Sequence, residues 1–310
     1  MARTVTLGKS GLKVTPACFG CWQMGQTFWG PQPRQTLIDA VRAAVDAGVN
    51  FFDNADAYGD GEAEEILGEA LRQTPRDKVV VATKVYHHFY PDGRRHPDLS
   101  KAYVLEECDA SLRRLGMDYL DLYQAHAWDP FTPIDETLEA FEQLVKAGKI
   151  RAYGVSNFST EQLRLAMGVG NVSTFQPRYN LLNPGPEESL LPLCQTQNIG
   201  VLVFDPLARG LLTGKFTGDE TFDDLRAHDA RFQGEAFKAN CGKVQKLRPI
   251  AERLHCSLPQ LVLAATFAHP AVHCAIVGIK NADQIRENAG AMDVHIDRQT
   301  YAEIRKTLGS

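Results

Sequence analysis

Short apolar runs recur along the chain, and between them apolar positions return at helical spacing. Eight runs are expected to form buried strands: 17–21, 49–53, 79–83, 119–125, 152–155, 174–176, 201–204 and 274–277. Between the first two, Leu37, Val41, Ala44 and Val45 share one helical face that stops at Gly48. Leu138, Phe141, Leu144 and Val145 form a similar stripe that ends at Gly148, and helices are also expected over 62–71, 100–115, 160–167 and 186–197. Ahead of these units, 3–7 and 12–15 flank the turn residues Gly8-Lys9-Ser10-Gly11, which predicts a hairpin. Strand and helix in alternation predict an α/β chain folded as a (β/α)₈ TIM barrel, with an N-terminal β-hairpin and extended βα loops, as a single domain over 1–310.

Two stretches break the rhythm. Residues 84–99 are turn-rich and aromatic; residues 214–240 are longer and polar, with an extra helix expected over 243–254. Both follow strands, and long loops in a compact domain are usually functional, so walls or lids of a site are expected there. The apolar stretch 261–279 is interrupted by His269-Pro270 and carries His273, which predicts helix, turn and strand rather than a membrane span.

Composition narrows the possibilities without choosing among them. At 44% apolar and 23% charged residues, disordered and fibrous classes drop out. The net charge of −5 gives no reason to expect nucleic acid or an acidic membrane as a partner. Arg94-Arg95 and Arg113-Arg114 are expected as solvated pairs. The N-terminus has no apolar signal core, and the seven cysteines are scattered, so reduced thiols in the cytoplasm are expected. Cys18 and Cys21 form a C-x-x-C with no second ligand pair, inside an expected strand, so they are read as structural and no metal ligands are assigned.

The chemistry lies at the ends of three expected strands. Asp53 follows 49–52, with Tyr58 five residues later; Lys84 closes 79–83; His126 closes 119–125. Polar residues at strand C-termini are where such barrels keep their chemistry. A carboxylate, a phenol, an amine and an imidazole together suit proton delivery to a carbonyl. Tyrosine, with an ordinary pKa near 10, is a poor acid unless a nearby cation lowers it, and a carboxylate beside that cation keeps it charged and aimed. Tyr58, Lys84 and Asp53 supply these roles, while His126 can hydrogen-bond the substrate oxygen.

The sequence resembles an aldo-keto reductase through Phe52-Asp53-Asn54-Ala55-Asp56-Ala57-Tyr58-Gly59, Ala82-Thr83-Lys84, Asp121-Leu122-Tyr123-Gln124-Ala125-His126, Gly154-Val155-Ser156-Asn157-Phe158 and Pro206-Leu207-Ala208-Arg209-Gly210-Leu211-Leu212-Thr213-Gly214-Lys215. These motifs occur in order over nearly the whole chain. Segments 233–240 and 247–252 are most similar to the bacterial branch with inositol-operon-type reductases, relatives of potassium-channel β subunits. The resemblance implies a catalytic tetrad of Asp53, Tyr58, Lys84 and His126, a small carbonyl substrate, and NADP (NADPH) as cofactor. It implies that Ser156, Asn157 and Gln176 bind the nicotinamide carboxamide and that Phe204 stacks on its ring. Pro206, Leu207, Ala208, Arg209, Gly210 and Lys215, with Arg226, would wrap the pyrophosphate. Gly278, Lys280, Gln284, Glu287 and Asn288 would hold the adenosine end, with Lys280 at a 2′-phosphate and Arg286 as a second partner. Cys21 and Trp22 would line the cofactor pocket, with Asp53 beside it. Trp22, Phe28, Trp29, Tyr86, Phe89 and Trp128 would line an aromatic substrate pocket beside His126, with His87, His88 and Arg94 for polar groups.

Two departures from the family pattern are visible. Asp205 stands where a serine is common beside the pyrophosphate, an unhelpful anion unless it turns away or pairs with a lysine; Val277 replaces a usual proline. Ser156-Asn157 also fits a helix N-cap. Other readings are weaker. No G-x-G-x-x-G follows a strand, since Gly168-Val169-Gly170 follows a helix, which disfavours a Rossmann dehydrogenase. His87, His88, His126, Asp53 and Asp129 offer metal-ligand types for a barrel hydrolase, but Lys84 beside them repels a cation. A cofactor-binding regulatory or sensor protein with little turnover is the remaining alternative. Sugars, short aldehydes and aromatic ketones all remain open as substrates.

Overall fold

The computed structural model describes residues 3–25, 30–90 and 92–309. Eight parallel strands close into a barrel: Ala17–Gly20, Phe51–Asp53, Val80–Val85, Leu120–Ala125, Ile150–Ser156, Thr174–Gln176, Gly200–Phe204 and Cys274–Gly278. They follow the expected runs and pair in chain order, the eighth closing on the first through Ile276 opposite Cys18. Helices cover the outside because each presents one apolar stripe. The helix Arg34–Asp46 buries Leu37, Ile38, Val41 and Ala44, and Ile134–Lys146 buries Leu138, Phe141 and Leu144.

The barrel interior is packed, with Cys18, Phe51, Val80, Ala82, Leu122, Leu202 and Cys274 in one buried cluster. The N-terminal hairpin pairs Val5–Thr6 with Lys13–Val14, antiparallel, and adds Leu7, Leu12 and Val14 to that cluster. The approach is close enough that a Cβ on Gly8 would sit 2.2 Å from the Gly200 nitrogen, so only glycine fits. The hairpin thus seals the N-terminal end of the barrel.

The two long insertions carry more structure than expected. Within 84–99, His87–Phe89 and Arg95–Pro97 form an antiparallel hairpin. The 214–240 segment contains two short 3₁₀ turns, 225–228 and 230–232, and Phe216, Phe222, Phe232 and Phe237 pack edge-to-face into a second core. Instead of one helix over 243–254, Gly234–Gln245 and Arg248–Arg253 are separate helices, because Pro249 lacks the amide needed to continue the first. A further helix, Arg298–Leu308, closes the chain.

Arg114 also departs from expectation. Rather than a solvated face, its guanidinium bonds the buried Glu64 on the preceding helix at 2.6 Å and also reaches Glu107 on its own helix. No helix among the described residues is long and apolar enough to cross a membrane.

Candidate active site

A cavity of about 1180 Å³ opens at the C-terminal end of the barrel. The register explains why the chemistry converges on it. Asp53 lies opposite Ala82 on the neighbouring strand, with Lys84 two residues further toward the mouth, while Ser156 lies opposite Gln176. His126 follows the fourth strand and its amide donates to the Val85 carbonyl at 2.9 Å.

Lys84, fully buried, spends its donors on three oxygens: Asp53 Oδ2 at 2.7 Å, the Asn54 carbonyl at 2.8 Å and the Tyr58 hydroxyl at 3.2 Å. Burial opposes the Lys84 charge, but Asp53 and Tyr58 outweigh it and hold the ammonium above the ordinary lysine range. The Asp53 oxygen that Lys84 does not take accepts from the Gln176 side-chain amide at 2.9 Å. Tyr58 and His126 meet edge to face, ring centroids 5.9 Å apart, and both line the cavity. All four residues expected to form the centre therefore gather at one point.

Their titration differs from the sequence expectation. Desolvation raises the Tyr58 phenol to about 12; Lys84 pulls it down, as expected, but is outweighed. The phenol is a protonated donor at neutral pH. Desolvation, and then the charges of Lys84 and His87, push His126 well below its ordinary value, so its imidazole is neutral.

Among the residues expected around a cofactor, Trp22, Asp53, Asn157, Gln176, Phe204, Asp205, Pro206, Leu207, Arg209, Gly210, Lys215, Arg226, Gly278, Lys280, Gln284, Glu287 and Asn288 line the cavity. Three do not. Cys21 is wholly buried in the core behind the first strand, where desolvation raises its thiol. Ala208 is buried in the second core, and Ser156 lies behind the wall. The Ser156 hydroxyl donates to the Gln176 carbonyl at 2.9 Å and accepts from the Asn157 amide at 3.1 Å. Asn157, at φ 58°, also donates to the His126 carbonyl at 2.9 Å. The N-cap suspected at Ser156-Asn157 is Ser159 instead, whose hydroxyl closes a capping box with Gln162.

Asp205 is neutralised by arginines rather than a lysine. Its Oδ2 accepts from Arg178 Nε at 2.9 Å and Nη2 at 2.7 Å, with Arg231 at 3.4 Å, and its Oδ1 accepts from the Arg209 amide at 2.7 Å. Asp229 joins Arg231 at 2.6 Å and Arg209 at 3.3 Å, tying the long insertion to the seventh strand. This network holds Asp205, Ala208 and Arg209 at positive φ, a backbone that otherwise disfavours side chains. Nearby, Lys215, Arg226 and Lys280 line the wall close enough that, beyond its own burial, Lys215 is pushed below its ordinary value by the other two. Asp224 faces the same group and pairs with Arg226. Arg286 is not among these cations: it pairs with Asp283 on the exposed surface.

Among the described residues, the end of the cavity near Tyr58 and His126 is more polar than expected. Trp22, Ala57, His87 and Arg95 line the wall beside Tyr58 and His126. Tyr86 and Trp128 do not: the Tyr86 hydroxyl donates to the Trp128 carbonyl at 3.3 Å, and both rings pack against the main core. Phe89 lies under the Arg95 guanidinium, 5.1 Å from centre to ring, away from the wall. Arg94 turns outward onto Asp92, while Arg95, exposed as expected and paired with Asp60, reaches the wall. Phe28 and Trp29 lie outside the described residues. Sequence reasoning missed Gln23, Arg178 and Thr213, which lie in segments that follow expected strands, and Arg248 and Cys256, whose segments carry no strand-end signature.

The family described as Aldo/keto reductase family matches residues 16–308. Aldo-keto reductase YhdN of Bacillus subtilis (strain 168) is 39% identical over 284 residues, 90% of this chain and 86% of its own. The NADH-specific methylglyoxal reductase of Escherichia coli (strain K12) is 33% identical, over 95% of this chain and 94% of its own. A solved aldo/keto reductase from Klebsiella pneumoniae, in complex with NADP and acetate, is similar at a TM-score of 0.78 and 32% identity, covering 99% of this chain and 95% of its own.

Proposed function

The chain belongs to the aldo/keto reductase family, and on that premise we propose that it reduces small aldehydes or ketones with NADPH, Tyr58 serving as the general acid. The observation that carries the reading is Lys84 Nζ, held between Asp53 Oδ2 and the Tyr58 hydroxyl at the cavity floor.

The residues present fit a dinucleotide. The cavity is long enough to run from Tyr58 to the start of the helix Ala282–Ala289, whose N-terminal amides favour an anion. Gln176, through its remaining amide hydrogen, and Asn157, through its side-chain oxygen, would meet a nicotinamide carboxamide, and Phe204 lies on the wall for its ring. Arg209, Gly210 and Lys215 would meet a pyrophosphate, while Lys280, Arg226 and Lys215 would meet a 2′-phosphate. When bound, the dinucleotide supplies the hydride to the carbonyl carbon.

The chain's own residues then manage the proton. Tyr58 donates its hydroxyl proton to the developing alkoxide. Lys84 stabilises the resulting phenolate by charge, and Asp53, fixed by Gln176, keeps Lys84 aimed. Neutral His126 orients the carbonyl oxygen without competing as the acid. In the reverse direction the same groups receive an alcohol proton.

One relative is NADH-specific and one structural neighbour holds NADP; this chain's own cations Lys215 and Lys280 favour NADPH. Seven cysteines without a disulfide suit a reducing compartment such as the cytoplasm. The test is NADPH oxidation against aldehydes, ketones and sugars, with NADH alongside. Turnover with at least one carbonyl supports the reading; tight cofactor binding without turnover across the panel would favour a regulatory protein.

A further inference from the structure

We propose that His88, His96 and Asp98 form a site for one divalent transition-metal ion of the zinc class, on the face of the 87–97 hairpin opposite the catalytic cavity. This departs from the sequence reading, which assigned no metal ligands, and does not rest on the reductase assignment.

The hairpin register brings the ligands together. His88 lies directly across from His96, and Asp98 follows on the strand that carries His96. Side chains alternate faces along a strand. His87 and Arg95 accordingly line the cavity, while His88, His96 and Asp98 share the other face. One donor atom from each lies within 4.8 Å of the others, and His88 Nδ1 is 3.0 Å from Asp98 Oδ2. Tetrahedral zinc with nitrogen and oxygen ligands near 2.1 Å sets them about 3.4 Å apart, so small side-chain rotations close the site.

Three further observations fit ligands rather than a chance cluster. His96 Nδ1 is buried with no hydrogen-bond partner among the described residues, a cost that a metal bond removes. The His88 ring is stacked between Tyr103, at 4.5 Å and 14°, and Tyr90, at 4.8 Å and 15°, which fixes its plane. The Ser100 amide donates to Asp98 Oδ1 at 2.9 Å, orienting the carboxylate and leaving Oδ2 for the ion. Two imidazoles and a carboxylate match zinc-class ions and leave a coordination position for water. Such an ion would staple the two strands whose other face presents His87 and Arg95 to the substrate.

The test uses the full chain, treated with chelator and dialysed, titrated with zinc chloride by calorimetry and checked by metal analysis after equilibrium dialysis. His96→Ala and Asp98→Asn are titrated in parallel, with circular dichroism to show that each is folded. The expected result is one saturable equivalent in the native chain and affinity lower by at least about tenfold in each variant. Zinc should also slow proteolytic cleavage between residues 86 and 99 in the native chain alone. No saturable uptake at micromolar zinc would overturn the proposal and leave His88 and Asp98 as a hydrogen-bonded pair only. Equal uptake by native chain and both variants would overturn it too, by placing the ion elsewhere.

Discussion

The side-chain amide of Gln176 donates to Asp53 Oδ1 at 2.9 Å, joining residues 123 positions apart in the chain. Both are buried, and the bond leaves Asp53 with one oxygen on an amide and the other on Lys84. Gln176→Leu would strand a buried carboxylate oxygen. Hydrogen bonds to charged groups contribute about 1.5–3 kcal/mol, so the variant's unfolding free energy should fall by about that amount. Urea denaturation measures it, and an unchanged midpoint and slope would show that the bond contributes nothing to stability.

What the sequence disclosed, and what it hid, follows from distance along the chain. The barrel was legible because strand runs and helical stripes are local patterns, and Asp53, Lys84 and His126 were legible because each ends such a run. The bond from Gln176 to Asp53 was not, since nothing local marks a partner so far away. Asp205 illustrates the same limit: it read as an anomaly because its arginines, Arg178 and Arg231, come from separate loops. Tyr86 and Trp128 failed for another reason. An aromatic ring suits a pocket wall and a core equally, and only packing decides between them. The hairpin within 84–99 was missed because polar His87-His88 and Arg95-His96 lack the apolar alternation that marks a strand, and so the pairing of His88 with His96 was invisible.

Cofactor selectivity should reside in the cation cluster. Lys280 lines the cavity beside Lys215 and Arg226, and a charge-assisted contact to a 2′-phosphate is worth roughly 1.5–3 kcal/mol. Lys280→Ala should therefore weaken NADPH by about ten- to a hundred-fold and spare NADH. Fluorescence titration with both cofactors distinguishes the outcomes: equal losses would mean that Lys280 reads something other than the 2′-phosphate.

The rate of carbonyl reduction should be flat through the neutral range. Tyr58 is raised to about 12 and is fully protonated there, while His126 is pushed well below its ordinary value and is fully neutral. Loss of the phenolic proton lowers activity only on the alkaline side. A pH profile of kcat at saturating cofactor tests this, and an inflection near about 6.5, the ordinary histidine value, would show that His126 titrates during turnover.

The most direct measurement is single-turnover reduction by Tyr58→Phe alongside a cofactor-binding titration. Phenylalanine keeps the ring against His126 and removes only the hydroxyl that Lys84 contacts at 3.2 Å. If Tyr58 is the acid, the rate falls by about 10²–10⁴ with cofactor affinity essentially unchanged. A rate within a few-fold of the native chain, at unchanged affinity, would contradict the account.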